Sequence, residues 1–285
     1  MISLNPNWDK SALQVSLAFA PLHSVIEQLD AHHFPTLHDF NELLNAQSTR
    51  IKVASGLPLR FVEQVYGQLL FEEQYEPRCY LKGEVPTRAN NWHDLFNALV
   101  WLTFSHSKAA INARHYQALT QIDGASKVSG RGAVRDAITL LDESGVIVPY
   151  ADETLADLLR GFQWKELFWN QRTQVELHMD FYLYGHGLYE KSLKPYVGMT
   201  GQGLLLKVEP SFFTQPLAQR LVHLDKLLAN YLNDFQHCTD TQELSPVPLL
   251  GIPGWTEDNK ASTYYDNADY FRRGRRNGKR NTQKS

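Results

Sequence analysis

Residues that could carry chemistry are concentrated between Pro86 and Trp101. These sixteen positions hold arginine, asparagine, histidine and aspartate, as Arg88, Asn90, Asn91, His93, Asp94 and Asn97. A histidine beside a carboxylate can act as a general base, because its ordinary pKa lies near neutrality. An arginine can fix a carboxylate or a phosphate through two parallel hydrogen bonds. The same histidine and aspartate groups could instead bind a divalent metal that activates water.

Two helices are predicted to position these side chains. Asn90 or Asn91 can cap the first helix, because its side chain can accept a hydrogen bond from a free backbone N–H of the first turn. The core face of this helix is predicted from apolar residues at helical spacing, Trp92, Leu95, Phe96 and Leu99. A tight connection at residues 105–107 would then lead into a second helix over residues 108–121. Such a short connection favours antiparallel neighbours.

Antiparallel packing would bring polar residues of both helices into one layer. The first helix contributes His93 and Asn97, and the second contributes Asn112 and His115. Buried histidine and asparagine side chains often do no more than join helices through hydrogen bonds, so this structural interpretation stays open. His186 is a further candidate, because Gly185 and Gly187 on either side of it would let another part of the backbone approach closely.

We assign provisional roles within this candidate site. The predicted catalytic residues are His93, Asp94, His115 and His186, and the predicted substrate-binding residues are Arg88, Asn97 and Asn112. The His93-Asp94 pair superficially resembles the His-Asp doublet of helical metal-dependent phosphohydrolases. However, adjacent residues on a helix point about 100° apart, so the pair is a weak metal signal.

The chain also resembles a bacterial family of unknown function, the domain-of-unknown-function 3025 family. The resemblance spans most of the chain and lies in six motifs: residues 86–88, 91–101, 108–115, 185–191, 251–255 and 265–272. Gly187 stands where an alanine is expected, a difference that looks harmless in the sequence. The resemblance implies no activity, because none is known for the family.

Composition and pattern predict a predominantly helical α+β protein. The chain has 285 residues, of which 43% are hydrophobic and 21% charged, as is typical of a globular protein. We expect a single domain over residues 1–271 with one small sheet of about three short strands. The best strand candidates are residues 145–149, 175–180 and 203–208. The segment 75–85 contains Pro77 and Gly83, and we interpret it as a loop with one short strand.

The compartment is predicted from what the sequence lacks. Cys79 and Cys238 form neither a disulfide framework nor a metal-type motif, so we expect reduced thiols. No secretory signal peptide is evident, and no apolar run approaches the length that spans a bilayer. A cytoplasmic protein without membrane contact is the resulting expectation.

Charge is unevenly distributed along the chain. The formal net charge is −3 from 28 basic and 31 acidic residues. Seven of the basic residues fall in the last fourteen positions, which leaves 21 basic and 31 acidic residues, a net charge of −10, in the remainder. Residues 272–285 are predicted to form a disordered tail. Its candidate nucleic-acid contacts are Arg272, Arg273, Arg275, Arg276, Lys279 and Arg280.

Three functional hypotheses follow from these patterns. The first is an enzyme or small-ligand binder with a pocket between the central helices, and its most specific form is hydrolysis of a small anionic substrate. The second is an RNA- or ribosome-associated protein that uses the basic tail, since such arms bind phosphates in a salt-sensitive way. The third is an interaction scaffold with exposed aromatic residues near Trp255 and Tyr264.

A flexible loop is favoured over a phosphate cradle for residues 124–132, whose spacing matches neither phosphate-binding fingerprint.

Overall fold

The computed structural model describes residues 8–120 and 131–274. Its helices are α1 (Ala12–Val15), α2 (His23–Ile26), α3 (Leu37–Asn45), α4 (Tyr75–Lys82), α5 (Trp92–Thr103), α6 (Ser105–Thr120), α7 (Arg131–Ser144), α8 (Glu153–Arg160), α9 (Arg172–His178), α10 (His186–Ser192) and α11 (Leu217–Asn233). Its strands are β1 (Arg60–Glu63), β2 (Glu84–Thr87), β3 (Gly145–Tyr150), β4 (Tyr182–Leu183), β5 (Thr200–Lys207) and β6 (Ser245–Pro248). The predicted helical character with little strand is confirmed.

Two small sheets replace the single predicted sheet. The larger has the order β4-β3-β5-β6, in which β3 and β5 are parallel and the outer strands are antiparallel to them. The smaller is a parallel pair of β1 and β2. The predicted strands at 145–149 and 203–208 are confirmed as β3 and β5. Strand β3 is buried at every position, which agrees with its continuous apolar sequence.

The strand prediction for residues 175–180 is wrong, because most of this segment is helix α9. Val175 and Met179 are both buried, whereas Leu177 between them is 54% exposed. Two buried residues four apart fit one face of a helix as well as they fit alternate positions of a strand. The apolar–polar alternation was therefore ambiguous, and the helix satisfies it with Leu177 turned outward.

The loop predicted within residues 75–85 is also wrong, although the short strand expected there is present as β2, which begins at Glu84. Helix α4 begins at Tyr75, so Pro77 falls in the first turn, where its missing N–H has no intrahelical partner to lose. Gly83 ends the helix in the left-handed conformation, with φ of 67°. A Cβ at Gly83 would lie 2.3 Å from the carbonyl oxygen of Pro58, so the position also needs a glycine for space. The two residues interpreted as helix breakers mark the ends of a helix.

Side chains cap α3 and α5, and the cap of α5 is one of the two residues that the sequence predicted. Thr36 and Asp39 form a reciprocal capping box at the start of α3. The Asn91 side chain accepts from the Asp94 N–H at 3.0 Å and caps α5, while Asn90 has a left-handed φ of 53°. Helix α6 begins at Ser105, so the connection after α5 is shorter than predicted. The region 121–130, which includes most of the predicted 124–132 loop, lies outside the described residues.

Helix α10 is held between α5 and α7, and this packing creates the site. The turn from β4 to α10 passes directly over the junction of α7 and β3, where the Tyr184 and Gly185 N–H groups both donate to the Gly145 carbonyl. A Cβ at Gly185 would lie 2.4 Å from the backbone nitrogens of Ser144 and Gly145. Only glycine permits this approach, which brings the start of α10 against the end of α7. The close approach expected around His186 is therefore present.

The C-terminal part of the described chain packs on the core. Tyr265, Tyr270 and Phe271 are buried. Residues 275–285 lie outside the described residues, so the disordered tail and the domain limits 1–271 and 272–285 stay predictions. Cys79 and Cys238 are buried, free thiols. Across residues 8–120 and 131–274, none of the helices combines the length and the apolar character that crossing a membrane requires.

Candidate metal centre

Two histidines from different helices face each other at the centre of the site. His93 lies in the first turn of α5, and His186 is the first residue of α10. Their Nε2 atoms are 2.9 Å apart, and their rings meet edge to face with centroids separated by 4.4 Å. His186 is buried and His93 is half-buried. The two imidazoles are thus directed at one point near the protein surface.

A carboxylate from α7 completes a group of three potential metal ligands. The Oε1 atom of Glu143 lies 3.5 Å from Nε2 of His186 and 3.8 Å from Nε2 of His93. Zinc–nitrogen and zinc–oxygen distances are about 2.0–2.2 Å, so two atoms that share one ion can be at most about 4.4 Å apart. All three separations satisfy this limit. His93, Glu143 and His186 therefore fit a single divalent ion.

Further carboxylates lie behind the two imidazoles. Glu190 Oε2 is 3.1 Å from Nδ1 of His93, within hydrogen-bond distance. Asp142 Oδ2 is 3.8 Å from Nδ1 of His186, which is too long for a direct hydrogen bond but still favours a proton on that nitrogen. Metal-binding histidines commonly donate their second N–H to a carboxylate, which orients the ring and fixes its tautomer.

The positions of these carboxylates determine which ring nitrogens carry protons, and so how the close contact between the two Nε2 atoms is explained. A proton on each Nδ1 leaves an unshared electron pair on both Nε2 atoms, and these would face each other at 2.9 Å. If His186 instead carried its proton on Nε2, its bare Nδ1 would face the Asp142 carboxylate. A cation that is coordinated by both Nε2 atoms, about 2.1 Å from each and to one side of the line between them, removes both conflicts.

A buried ion pair supports the His186 side of the centre. Lys108 Nζ donates to Asp142 Oδ1 at 2.6 Å, and both side chains are nearly enclosed. Burial by itself would raise the pKa of Asp142, but the Lys108 charge outweighs it and lowers this pKa to about 2. Burial lowers the pKa of His186 to about 3, so its imidazole is neutral at physiological pH. Neutral imidazole is the form that binds metals.

Gly187 leaves room for the Glu143 carboxylate. A Cβ at this position would lie 2.6 Å from Glu143 Oε2, 3.1 Å from the Glu143 carbonyl oxygen and 3.7 Å from Cε1 of His93. An alanine at position 187 would therefore displace the carboxylate. The glycine that looked harmless in the sequence has a steric reason in the structure.

Arg88 and Asp94 form a separate pair at the rim of the same pocket. Arg88 donates to both carboxylate oxygens of Asp94, from Nε at 3.0 Å and from a terminal nitrogen at 2.7 Å, and its backbone N–H donates as well at 2.6 Å. This pairing uses the two-point geometry that was predicted for an anionic ligand, and it balances the Arg88 charge. Asp94 therefore pairs with Arg88, and it is not part of the group that could hold a metal ion with the two histidines.

A second polar group lies on α4 and α6. Glu76 Oε2 accepts from the Asn112 amide at 2.6 Å, and Glu76 Oε1 is 4.0 Å from His115 Nε2. The Asn97 amide donates to the Tyr75 hydroxyl at 2.7 Å. The four residues expected in one layer are thus divided, because α6 packs against α4, α7 and α11 and its polar residues face Glu76. Asn112 and His115 do not line the pocket that holds His93.

The pocket itself has a volume of about 200 Å³. It is lined by Gln64, Tyr75, Glu76, Pro86, Arg88, His93, Asp94, Asn97, Asp142, Glu143 and His186. It lies between α5, α4, α7 and α10 and not between the two central helices as predicted. The sequence singled out His93 and His186 but missed Glu143, Asp142 and Glu76. A carboxylate at the end of a helix resembles an ordinary surface group in sequence, so Asp142 and Glu143 carried no local signal of a site.

Comparison with known proteins gives one family. Residues 59–275 match the family described as "Protein of unknown function (DUF3025)", which covers more than half of the chain. The chain belongs to the DUF3025 family. All residues of the candidate metal centre and the pocket, from Gln64 to Glu190, lie inside the part that matches DUF3025.

The other two comparisons add no relative. Neither the curated proteins nor the solved structures contain a match to this chain. The family is described as one of unknown function, so only the site indicates what the protein does.

Proposed function

We propose that this protein is a metal-dependent hydrolase whose metal ligands are His93, Glu143 and His186. One observation carries the proposal: two imidazole Nε2 atoms face each other at 2.9 Å, while a carboxylate lies on the Nδ1 side of each ring. An ion shared with Glu143 accounts for this arrangement. A structural role in joining helices would need only one hydrogen bond between the rings.

A metal site with three protein ligands is typical of catalytic metal sites and not of structural ones. Structural zinc sites are closed by four protein ligands, whereas catalytic sites keep one position for water or substrate. A bound divalent ion lowers the pKa of its water to about 7 and so supplies hydroxide as a nucleophile. The pocket beside the three ligands gives a small substrate access to that position. Glu190 orients His93, and the Lys108–Asp142 pair supports His186.

Metal content is the first test. We expect the purified protein, loaded with Zn²⁺ after chelator treatment, to bind one ion per chain in native mass spectrometry and isothermal titration calorimetry. His93→Ala, His186→Ala and Glu143→Gln should each weaken binding by about 100-fold or more, since each removes a ligand or its charge. His33→Ala is the matched control, because its side chain is 54% exposed and lies outside the three-ligand group. Equal affinity of all four variants would refute the centre.

Hydrolysis is the second test. A panel of chromogenic esters, amides and phosphate esters should include a substrate whose turnover is abolished by chelation and restored by Zn²⁺, Mn²⁺ or Co²⁺. The same turnover should be lost in His93→Ala and kept in His33→Ala. A protein that binds its metal tightly yet hydrolyses nothing in the panel, with or without the ion, would count against catalysis and leave a metal-binding protein.

The alternative functions receive less support. Arg272 and Arg273 are exposed, but Arg275, Arg276, Lys279 and Arg280 lie outside the described residues, so nucleic-acid binding through the tail stays a prediction. The scaffold hypothesis requires exposed aromatic residues near Trp255 and Tyr264. Both side chains are half-buried and pack against the core.

A further inference from the structure

A second wall of the pocket presents hydrogen-bond acceptors with incomplete partners. Tyr75, Glu76 and Asn97 line the same pocket as the metal ligands. The Asn97 side chain is 6% exposed, and within the described residues its Oδ1 atom has no hydrogen-bond partner. Asn112 Oδ1, which lies behind Glu76, also has no hydrogen-bond partner within the described residues. The Asn112 amide is fixed in orientation, because its nitrogen donates to two oxygens of Glu76.

The carboxylates around the pocket differ in how their charges are balanced. Asp94 is paired with Arg88, and Asp142 is paired with Lys108. Glu143 and Glu190 face the metal centre and together balance a divalent ion. Glu76 differs from these, because within residues 8–120 and 131–274 no lysine or arginine nitrogen lies within 4.0 Å of its carboxylate.

A positively charged ligand group would be stabilised beside the Glu76 carboxylate. Its side chain is 23% exposed, and burial raises the pKa of its carboxyl group. The Glu76 carboxylate receives a side-chain hydrogen bond from Asn112 on Oε2, whereas Asn97 Oδ1 receives none within the described residues. A ligand with N–H groups can supply further donors to both groups. An anionic ligand would instead be repelled by Glu76, since Arg88 is already neutralised by Asp94.

We infer that the substrate carries a primary ammonium group that binds Glu76 and Asn97 while its hydrolysable carbonyl reaches the metal. This inference rests on the proposed metal-dependent hydrolysis and names the substrate class for the same site. An ammonium group has three donors, which suits the Glu76 carboxylate, the Asn97 carbonyl and the Tyr75 hydroxyl. The pocket volume of about 200 Å³ limits the substrate to a small amino ester or amino amide.

Pairs of hydroxamic acids test this inference without a known substrate. A hydroxamate binds a metal, and an ammonium group can replace a terminal methyl group at nearly constant size. The pairs are β-alanine hydroxamate with butyrohydroxamate, and γ-aminobutyric hydroxamate with pentanohydroxamate. The two chain lengths allow for the separation between the metal centre and Glu76. Dissociation constants are measured by calorimetry on the zinc-loaded, full-length protein at pH 7.

We expect the amino member of at least one pair to bind about 10- to 100-fold more tightly, which is the range of a charge-assisted hydrogen bond. Glu76→Gln should remove this preference while the neutral hydroxamate binds as in the wild type. Glu72→Gln is the matched control, because Glu72 is an exposed carboxylate on the segment before α4. The neutral compound and the melting temperature report on folding of each variant.

The outcomes separate this inference from the proposed function. If neither member of any pair binds the zinc-loaded protein, the metal-dependent function fails and the ammonium site fails with it. If both members bind wild-type protein equally, or the neutral ones bind better, the metal centre stands and the ammonium site is overturned without any variant. If the preference persists in Glu76→Gln, the assignment to Glu76 is overturned.

Discussion

Gly187→Ala tests the position of the Glu143 carboxylate with the smallest change that the chain offers. The added Cβ would lie 2.6 Å from Glu143 Oε2, whereas ordinary contacts of this kind begin at 3.4 Å. The carboxylate must therefore move by roughly 0.8 Å, which exceeds the tolerance of about 0.2 Å on metal–ligand distances. We expect zinc affinity to fall by about 10- to 100-fold, the range for a disturbed supporting contact. The fold should persist, because the group that yields is the end of a flexible side chain.

Competition with a chromophoric chelator measures this change in affinity, and thermal unfolding of the metal-free protein checks the fold. Gly132→Ala provides the matched control, since Gly132 is also a helical glycine and a Cβ there meets nothing within 4 Å. That control should bind zinc normally and be stabilised by up to about 1 kcal/mol. If Gly187→Ala binds zinc as tightly as the wild type, with an unchanged melting temperature, Glu143 is not a ligand in the geometry described.

Three further perturbations address the supporting structure. Lys108→Met leaves the buried Asp142 unpaired and should lower the free energy of unfolding by about 3–5 kcal/mol in urea denaturation. Adding Asp142→Asn should recover part of this loss. No recovery in the double variant would contradict the pairing of Lys108 with Asp142. Asn91→Ala removes the cap of α5 and should cost about 1 kcal/mol in the same assay, whereas Asn90→Gly, at a position with positive φ, should be nearly neutral. Burial acts to raise the pKa of Glu84, but the hydrogen bond from Arg78 and the charge of Arg60 outweigh it and leave this pKa below 4.5. The stability that Glu84 contributes is therefore present above about pH 4.5 and lost as the pH falls through the lower folded-state pKa. Glu84→Gln should flatten the acid limb of the curve of unfolding free energy against pH. An unchanged acid limb would refute this contribution of Glu84.

Local signals predicted the elements that carry their own caps and turn residues. Asn91 marks a helix start because its side-chain oxygen accepts from the first turn, and this depends only on nearby residues. His186 was selected for a similarly local reason, the glycines on either side of it. Pro77 and Gly83 show the limit of local reasoning, because the same two residues can break a helix or delimit one.

The candidate site could not be predicted to the same extent, because tertiary packing brings its parts together. Glu143 is a ligand candidate only because α10 crosses the end of α7, and that crossing depends on Gly185 lying against Gly145. Nothing adjacent to Glu143 in the sequence signals this contact. Conversely, His115 and Asn112 have the residue types of a site, but their helix turns them toward Glu76. Residue type was informative about chemistry and uninformative about which groups meet.

The relative position of α5 and α10 is stabilised by an aromatic stack one turn away from the histidines. Phe96 follows His93 on α5 and Tyr189 follows His186 on α10, each by three residues, and their ring centroids are 5.7 Å apart. Phe19 stacks on both, at 5.7 Å from Phe96 and 6.0 Å from Tyr189, and all three rings are buried. Because side chains three apart lie on the same side of a helix, fixing these rings also fixes the direction of the imidazoles. Phe19 lies outside the segment 59–275 that matches the family. The candidate metal centre therefore depends on packing from a part of the chain that the family match does not include.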